Sequence, residues 1–208
     1  CSESLQERRL DYLRELEPSL ILMHSRFPYY LYDSPFDNTI GGVEASPSSK
    51  SYGIKGDESF EERRKIFSNS LRNTVNELDS IGHSVVIISP VPTNGWHPVK
   101  RLMGIISKYG SNLTLGTIEI EDVRPLMSIP RDAVVKRQSD VQIIINEIAE
   151  EFVNVSVFNS LDIFCDINRC HAISENGELL YSNRDHLSSD GARYLLSTVL
   201  VKAFGVEN

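Results

Sequence analysis

The sequence predicts an α/β fold, a three-layer α/β/α arrangement around a mostly parallel sheet, with residues 1–208 forming a single domain. Three observations lead there. The 208 residues are enough for one α/β core and too few for two comfortable ones. Short apolar runs alternate with amphipathic segments, a pattern that joins parallel strands through crossover helices on both sheet faces. The runs Leu20-Ile21-Leu22-Met23 and Val85-Val86-Ile87-Ile88 show no polar alternation, as expected of strands buried on both faces.

The elements follow in order. Residues 3–17 place Leu5, Tyr12, Leu13 and Leu16 on one helical stripe, and Pro18 stops the helix. The first apolar strand then leads into an irregular stretch over residues 26–57, rich in Tyr, Ser, Pro and Gly, whose length suits a functional loop. A strong amphipathic helix is expected over residues 59–80, with Phe60, Phe67, Leu71, Val75 and Leu78 facing inward and Gly82 just past its end. The second strand ends in Ser89-Pro90-Val91-Pro92, which no central strand could continue. A short helix over 99–108 and a strand over 113–120 follow. A long helix over 132–152 then carries Val141, Ile145, Ile148 and Phe152 inward. A strand at 155–158 precedes a last helix built on Ala192, Leu195, Leu196, Val199 and Leu200. In such sheets chemistry gathers beyond the carboxyl ends of the strands, which places residues 23–27, residues 89–96 and the loop before the last helix on one rim.

Composition narrows the function. A formal net charge of −8 argues against a nucleic-acid partner, which needs a basic face. No apolar run approaches the roughly 18 residues that cross a bilayer, and no basic-then-apolar stretch among the 208 residues resembles a signal peptide. The three cysteines are an odd number. They read equally as indifferent thiols or as a Cys165–Cys170 pair within one loop, with Cys1 lacking its partner, the second reading implying an oxidising compartment. A zinc site from Cys165, Cys170 and His171 lacks a fourth ligand and fits no finger spacing. No metal and no cofactor are expected.

The informative segment is Leu180-Tyr181-Ser182-Asn183-Arg184-Asp185-His186-Leu187-Ser188, followed by Gly191-Ala192. A polar loop presents a histidine just before a helix, with Ser188 available as cap and Asp190 suited to the positive end of the helix dipole. This string resembles the last sequence block of SGNH hydrolases. It is closest to the SGNH domains fused to membrane acyltransferases of acyltransferase family 3, whose ending reads approximately Leu-Tyr-x-Asp-x-x-His-Leu-Ser-x-x-Gly-Ala. That ending is often preceded by a paired-cysteine loop, here Cys165 to Cys170. Ser25-Arg26-Phe27 with Tyr30 is similar to the small-Arg-Trp-x-x-Tyr stretch of the same domains, and Ile87 to Pro92 also fits.

The resemblance implies O-acyl transfer, typically of acetyl, to a bacterial surface carbohydrate. The partners implied are a carbohydrate acceptor, an acyl donor and the membrane-embedded acyltransferase domain of the same protein. The place implied is the periplasmic face of the inner membrane, with tethering by an upstream membrane domain. In the family a Gly-Asp-Ser serine attacks the acyl carbonyl. The histidine takes its proton, and an acid three positions earlier orients the imidazole. His186 takes the place of that base.

Two departures bear on this. No Gly-Asp-Ser occurs in the 208 residues, so the serine and the first strand are expected upstream of this chain, leaving an open sheet edge. Ser25 is the alternative nucleophile, although Pro28 suits an elbow poorly. Asn183 stands where the family has Asp. It can accept from the ring but carries no charge, and in serine proteases that exchange costs about 10⁴-fold. Asp185 is the alternative orienting acid and ranks behind Asn183, because adjacent side chains normally point apart. Arg26 is a candidate for holding an oxyanion or sugar, and Trp96 with His97 a candidate for stacking on a sugar ring. His24 reads equally as a core histidine, and His83 and His171 receive no role. The rival functions are a free-standing esterase of the same fold and a non-catalytic carbohydrate-binding domain.

Overall fold

A computed structural model of the protein describes residues 3–44, 57–113 and 120–204. The chain runs α1 (Glu3–Arg14), β1 (Leu20–His24), α2 (Pro28–Leu31), α3 (Phe60–Ser80) and β2 (Ser84–Ile88). It continues through α4 (Pro98–Leu113), α5 (Ile120–Leu126), β3 (Ser128–Pro130) and α6 (Arg131–Glu150). The last elements are β4 (Val155–Phe158), α7 (Leu161–Phe164), β5 (Arg169–His171) and α8 (Ser189–Phe204). Contacts divide it into two compact units: Cys1–Ser34, Ser46–Pro90 and Gln138–Asn159 form one, and Pro35–Ala45, Val91–Arg137 and Ser160–Asn208 the other.

The first unit holds the parallel sheet, in the order β1-β2-β4, with Leu20 opposite Ser84 and Val85 opposite Val155. β2 lies in the middle and is buried from Val85 to Ile88, whereas β1 is half-buried and pairs only with β2 among the described residues. Apolar residues at helical spacing on α3 (Phe67, Leu71, Val75, Leu78) and on α6 (Val141, Ile144, Ile145, Ile148) close over Val85 and Ile87 in one core. Each such side chain contributes roughly 1.5–3 kcal/mol when fully removed from water. α3 starts with a capping box: Ser59 Oγ accepts the Glu62 N–H at 3.3 Å, and the Ser59 N–H donates to Glu62 Oε2 at 2.8 Å. It ends before Gly82 at φ +90°, a conformation a side chain would strain.

The second unit contains a small antiparallel pair, β3 with β5, and a core of Phe36, Ile129, Val134, Leu161 and Cys170. A disulfide joins Cys165 and Cys170, whose Cα atoms lie 3.9 Å apart across an antiparallel bridge. That removes the free-thiol and zinc readings of these two residues. No described helix is long and apolar enough to cross a membrane.

Several expectations change. Tyr12 and Leu16 are exposed, and of the α1 stripe Leu13 packs against the core. On α8, Leu195 and Val199 are buried while Leu196 and Leu200 lie at 42% and 41% exposure. A narrow contact stripe is enough to hold these helices. The irregular stretch contains α2 and an isolated bridge between Asp37 and Val43. Of the strand expected at 113–120, Leu113 closes α4 and Ile120 opens α5, and residues 114–119 lie outside the described residues.

Candidate active site

His186 stands at the closed end of a tight ladder in the second unit. Tyr181 and Leu187 form an antiparallel bridge. The Ser182 N–H donates to His186 O at 2.9 Å, and the Ser188 N–H to Leu180 O at 3.0 Å. Within the turn, Asn183 Oδ1 accepts the backbone N–H groups of Asp185 at 3.1 Å and His186 at 2.9 Å. Two backbone donors on one atom identify it as the amide oxygen, since the amide nitrogen accepts nothing. The same oxygen lies 3.0 Å from His186 Nδ1 and therefore receives the ring proton there. Flipping the amide would break all three contacts. The neutral ring then carries its lone pair on Nε2, which has no partner among the described residues, and the side chain is 60% exposed.

Asp185 Oδ1 lies 2.8 Å from the same Nδ1, and its side chain is only 11% exposed. The expectation that neighbouring side chains point apart does not hold in this turn, because the bend closed by Asn183 makes residues 185 and 186 converge. Nδ1 is thus held by a neutral acceptor with fixed orientation and by a largely buried carboxylate.

The motif's remaining residues secure this turn. Ser188 Oγ accepts the Gly191 N–H at 2.9 Å and donates to Leu179 O at 2.6 Å, capping α8 and tying it to the ladder. Gly191 approaches so closely that a Cβ there would lie 1.9 Å from Leu180 O. Tyr181 is fully buried with its ring 5.8 Å from that of Phe164. Its hydroxyl has no partner among the described residues, and burial raises its pKa well above the ordinary value. The rim loop joins from outside the ladder, as the Asn94 N–H donates to Arg184 O at 2.8 Å. Trp96 on that loop packs against the core, with the Arg101 guanidinium 4.6 Å from its ring centroid and the backbone of Gly42 alongside.

The other candidates lie in the first unit. Ser25 Oγ shares a 3.0 Å hydrogen bond with the Tyr30 hydroxyl. The Arg26 guanidinium sits 4.3 Å from the centroid of the Tyr29 ring. His24 Nδ1 donates to Ile88 O at 3.3 Å. Atoms crowded around its ring pull its pKa down, although its outer edge meets solvent and carbonyls of Ile88 and Ser89 oppose the shift.

The profile of the SGNH domain fused to AT3 domains matches residues 1–200. The chain belongs to this family. No curated protein sequence matches it. Among solved structures, the periplasmic domain of a lipopolysaccharide acetyltransferase from Salmonella ser. Paratyphi A is similar in fold. The TM-score is 0.58 at 12% identity, with 96% of this chain and 62% of that chain covered. The chain therefore spans less than two thirds of that relative.

This SGNH domain also holds a group that sequence reasoning missed. His171 is buried, with Nδ1 2.8 Å from Ser128 Oγ and Nε2 2.9 Å from Asp166 Oδ2. Burial and the nearby Arg124 charge lower its pKa, with Asp166 and Glu175 opposing. Ser128 is fully buried and also meets Arg124 O at 2.5 Å, so its hydroxyl is enclosed away from any substrate. Asp166 Oδ1 accepts the N–H groups of Asn168 and Arg169, both at 2.7 Å, and these bonds hold its pKa down. The available signal was that Asp166 and His171 each directly follow a cysteine of the paired loop, so the bond between the cysteines brings the two together.

Proposed function

We propose that this SGNH domain performs the ester chemistry of a bacterial carbohydrate O-acyltransferase, with His186 as the general base. The observation that carries the reading is the division of labour on the imidazole. Nδ1 is held by Asn183 and Asp185, and Nε2 is unpartnered among the described residues, on an exposed ring. A base needs that tautomer, because only a free Nε2 can take a hydroxyl proton. The proton on Nδ1 then meets the Asp185 carboxylate, which offsets the charge of the imidazolium as it forms.

The serine is supplied by a strand from outside the 208 residues, which contain no Gly-Asp-Ser. Acyl transfer to carbohydrate, with acetyl as the group, and a periplasmic setting beside an AT3 membrane domain rest on the family's fusion and on the acetyltransferase neighbour.

The test is His186→Ala in the full-length protein, with acyl-sugar product and melting temperature measured on the same preparation. Turnover should vanish while the fold persists. Wild-type turnover in the variant would refute the role. Asn183 favours one second reading, a carbohydrate-binding domain without catalysis, which predicts that His186→Ala leaves sugar binding and acylation of the glycan unaltered.

A further inference from the structure

We propose that a pocket in the second unit, between α5 and the disulfide loop, binds the oxyanion of an acidic carbohydrate. The pocket has a volume of about 560 Å³ and is lined by Arg124, Pro125, Asp166, Arg169, His171 and Glu175, among others. That is the size range of small-molecule sites.

The two arginines carry the argument. In a chain with 29 acidic and 21 basic residues, a surface guanidinium ordinarily finds a carboxylate. Arg169 has none among the described residues; the one hydrogen bond of its guanidinium there is to Pro125 O at 3.4 Å. Arg124 bonds Ile173 O through Nε at 3.4 Å and forms a loose ion pair with the exposed Glu175 at 3.7 Å, longer than a hydrogen bond. Both guanidiniums line one pocket. Their planar donors match a carboxylate or phosphate in forked geometry.

One of the acids beside them is already committed. Asp166 spends Oδ1 on two backbone N–H groups and Oδ2 on His171. It cannot turn toward the arginines without releasing all three. The Cys165–Cys170 bond closes the loop that carries Asp166 and Arg169, so the wall is set before a ligand arrives. Glu121 lines the pocket as well, and Glu175 is 80% exposed beside it. Such carboxylates accept hydrogen bonds from sugar hydroxyls. An anion bearing hydroxyls, a uronate or a sugar phosphate, satisfies both halves of the site. The sugar half rests on the proposed carbohydrate function, whereas the oxyanion half does not.

The test is a calorimetric titration of the folded protein with glucuronic acid, inorganic phosphate and glucose. Circular dichroism of each variant confirms folding. Saturable binding of glucuronate or phosphate at millimolar concentration is expected, with glucose weaker by tenfold or more. Arg169→Gln and Arg124→Gln should each weaken anion binding at least tenfold. Arg169→Lys should weaken it less than the Gln change, and His186→Ala should leave it unchanged. Phosphate binding without glucuronate binding points to a phosphorylated sugar, and the reverse to a uronate; both support the site. No saturable anion binding, glucose binding as tight as glucuronate, or binding that survives the Gln variants overturns it. Loss of turnover in His186→Ala with intact anion binding separates this result from the fate of the catalytic reading.

Discussion

Gly191→Ala should damage the candidate active site from a position that makes no contact with substrate. A Cβ at residue 191 would lie 1.9 Å from Leu180 O, 2.8 Å from its carbonyl carbon and 3.1 Å from its Cα. All three are main-chain atoms, so no side chain can rotate away. Restoring ordinary contact at 3.4 Å requires α8 and the ladder to separate by about 1.5 Å. Leu180 O accepts the Ser188 N–H, and the next pairs along that ladder hold the His186 turn. Overpacking of this kind costs about 1–3 kcal/mol, and a displacement near 1 Å in a catalytic group costs about 10²-fold in rate. The variant should therefore unfold at clearly lower urea and lose turnover by about that factor. Gly104→Ala is the control. It is an exposed position inside α4 with nothing within 4 Å of its Cβ, and it should gain roughly 0.5–1 kcal/mol. Wild-type stability and turnover in Gly191→Ala would refute the reasoning.

Other outcomes follow from the same structure. Asn183→Asp should keep or raise turnover. Asn183→Ala should lower it less than His186→Ala, since Asp185 still meets Nδ1, and a steady-state series on the three variants checks the order. Thiol counting under denaturing, non-reducing conditions should find Cys165 and Cys170 unreactive until a reductant is added, because they are bonded. The Cys165→Ser/Cys170→Ser pair should lose about 2 kcal/mol for a loop of this length. On acidification, His171 has a pKa lowered below 6.5, so its contribution is complete above that value and fades as the pH falls through the folded-state pKa. The lowered carboxyls, Asp33 beside Arg63, Glu62 in the capping box and Asp166, contribute fully above about 4.5 and are lost below it. Urea midpoints against pH should show both stages, and His171→Gln should shrink the upper one, leaving the share of His24, whose pKa is lowered too.

The sequence was most informative where one physical cause dominates. Buried parallel strands must be apolar throughout, so β1 and β2 were legible within a residue. The long stripes of α3 and α6 were equally plain, because eight of their residues build one core. The short elements α5, β3, α7 and β5 were missed. Three to seven residues hold too little periodicity, and a proline inside α5 argues against a helix there. At the site, the motif around His186 was readable, but the convergence of Asp185 on the same nitrogen was not. That depends on the bend closed by Asn183 through backbone bonds, which no pairwise rule about neighbours contains. The His171 group was hidden for a related reason: Ser128 is 43 residues away and reaches it only through the β3–β5 pair.

Tyr181 has a consequence for measurement. Its phenol is buried in the second unit with no hydrogen-bond partner among the described residues, so it stays neutral at a pH where exposed phenols have ionised. Among the eight tyrosines of the chain, this one can become phenolate only when its surroundings open. After a jump to alkaline pH, the ultraviolet absorbance of exposed phenolates should appear within mixing time, and a slower rise should time the opening of the motif that carries His186. Replacing Tyr181 with Phe removes that slow signal and, because the hydroxyl has no partner to lose, should cost the fold almost nothing.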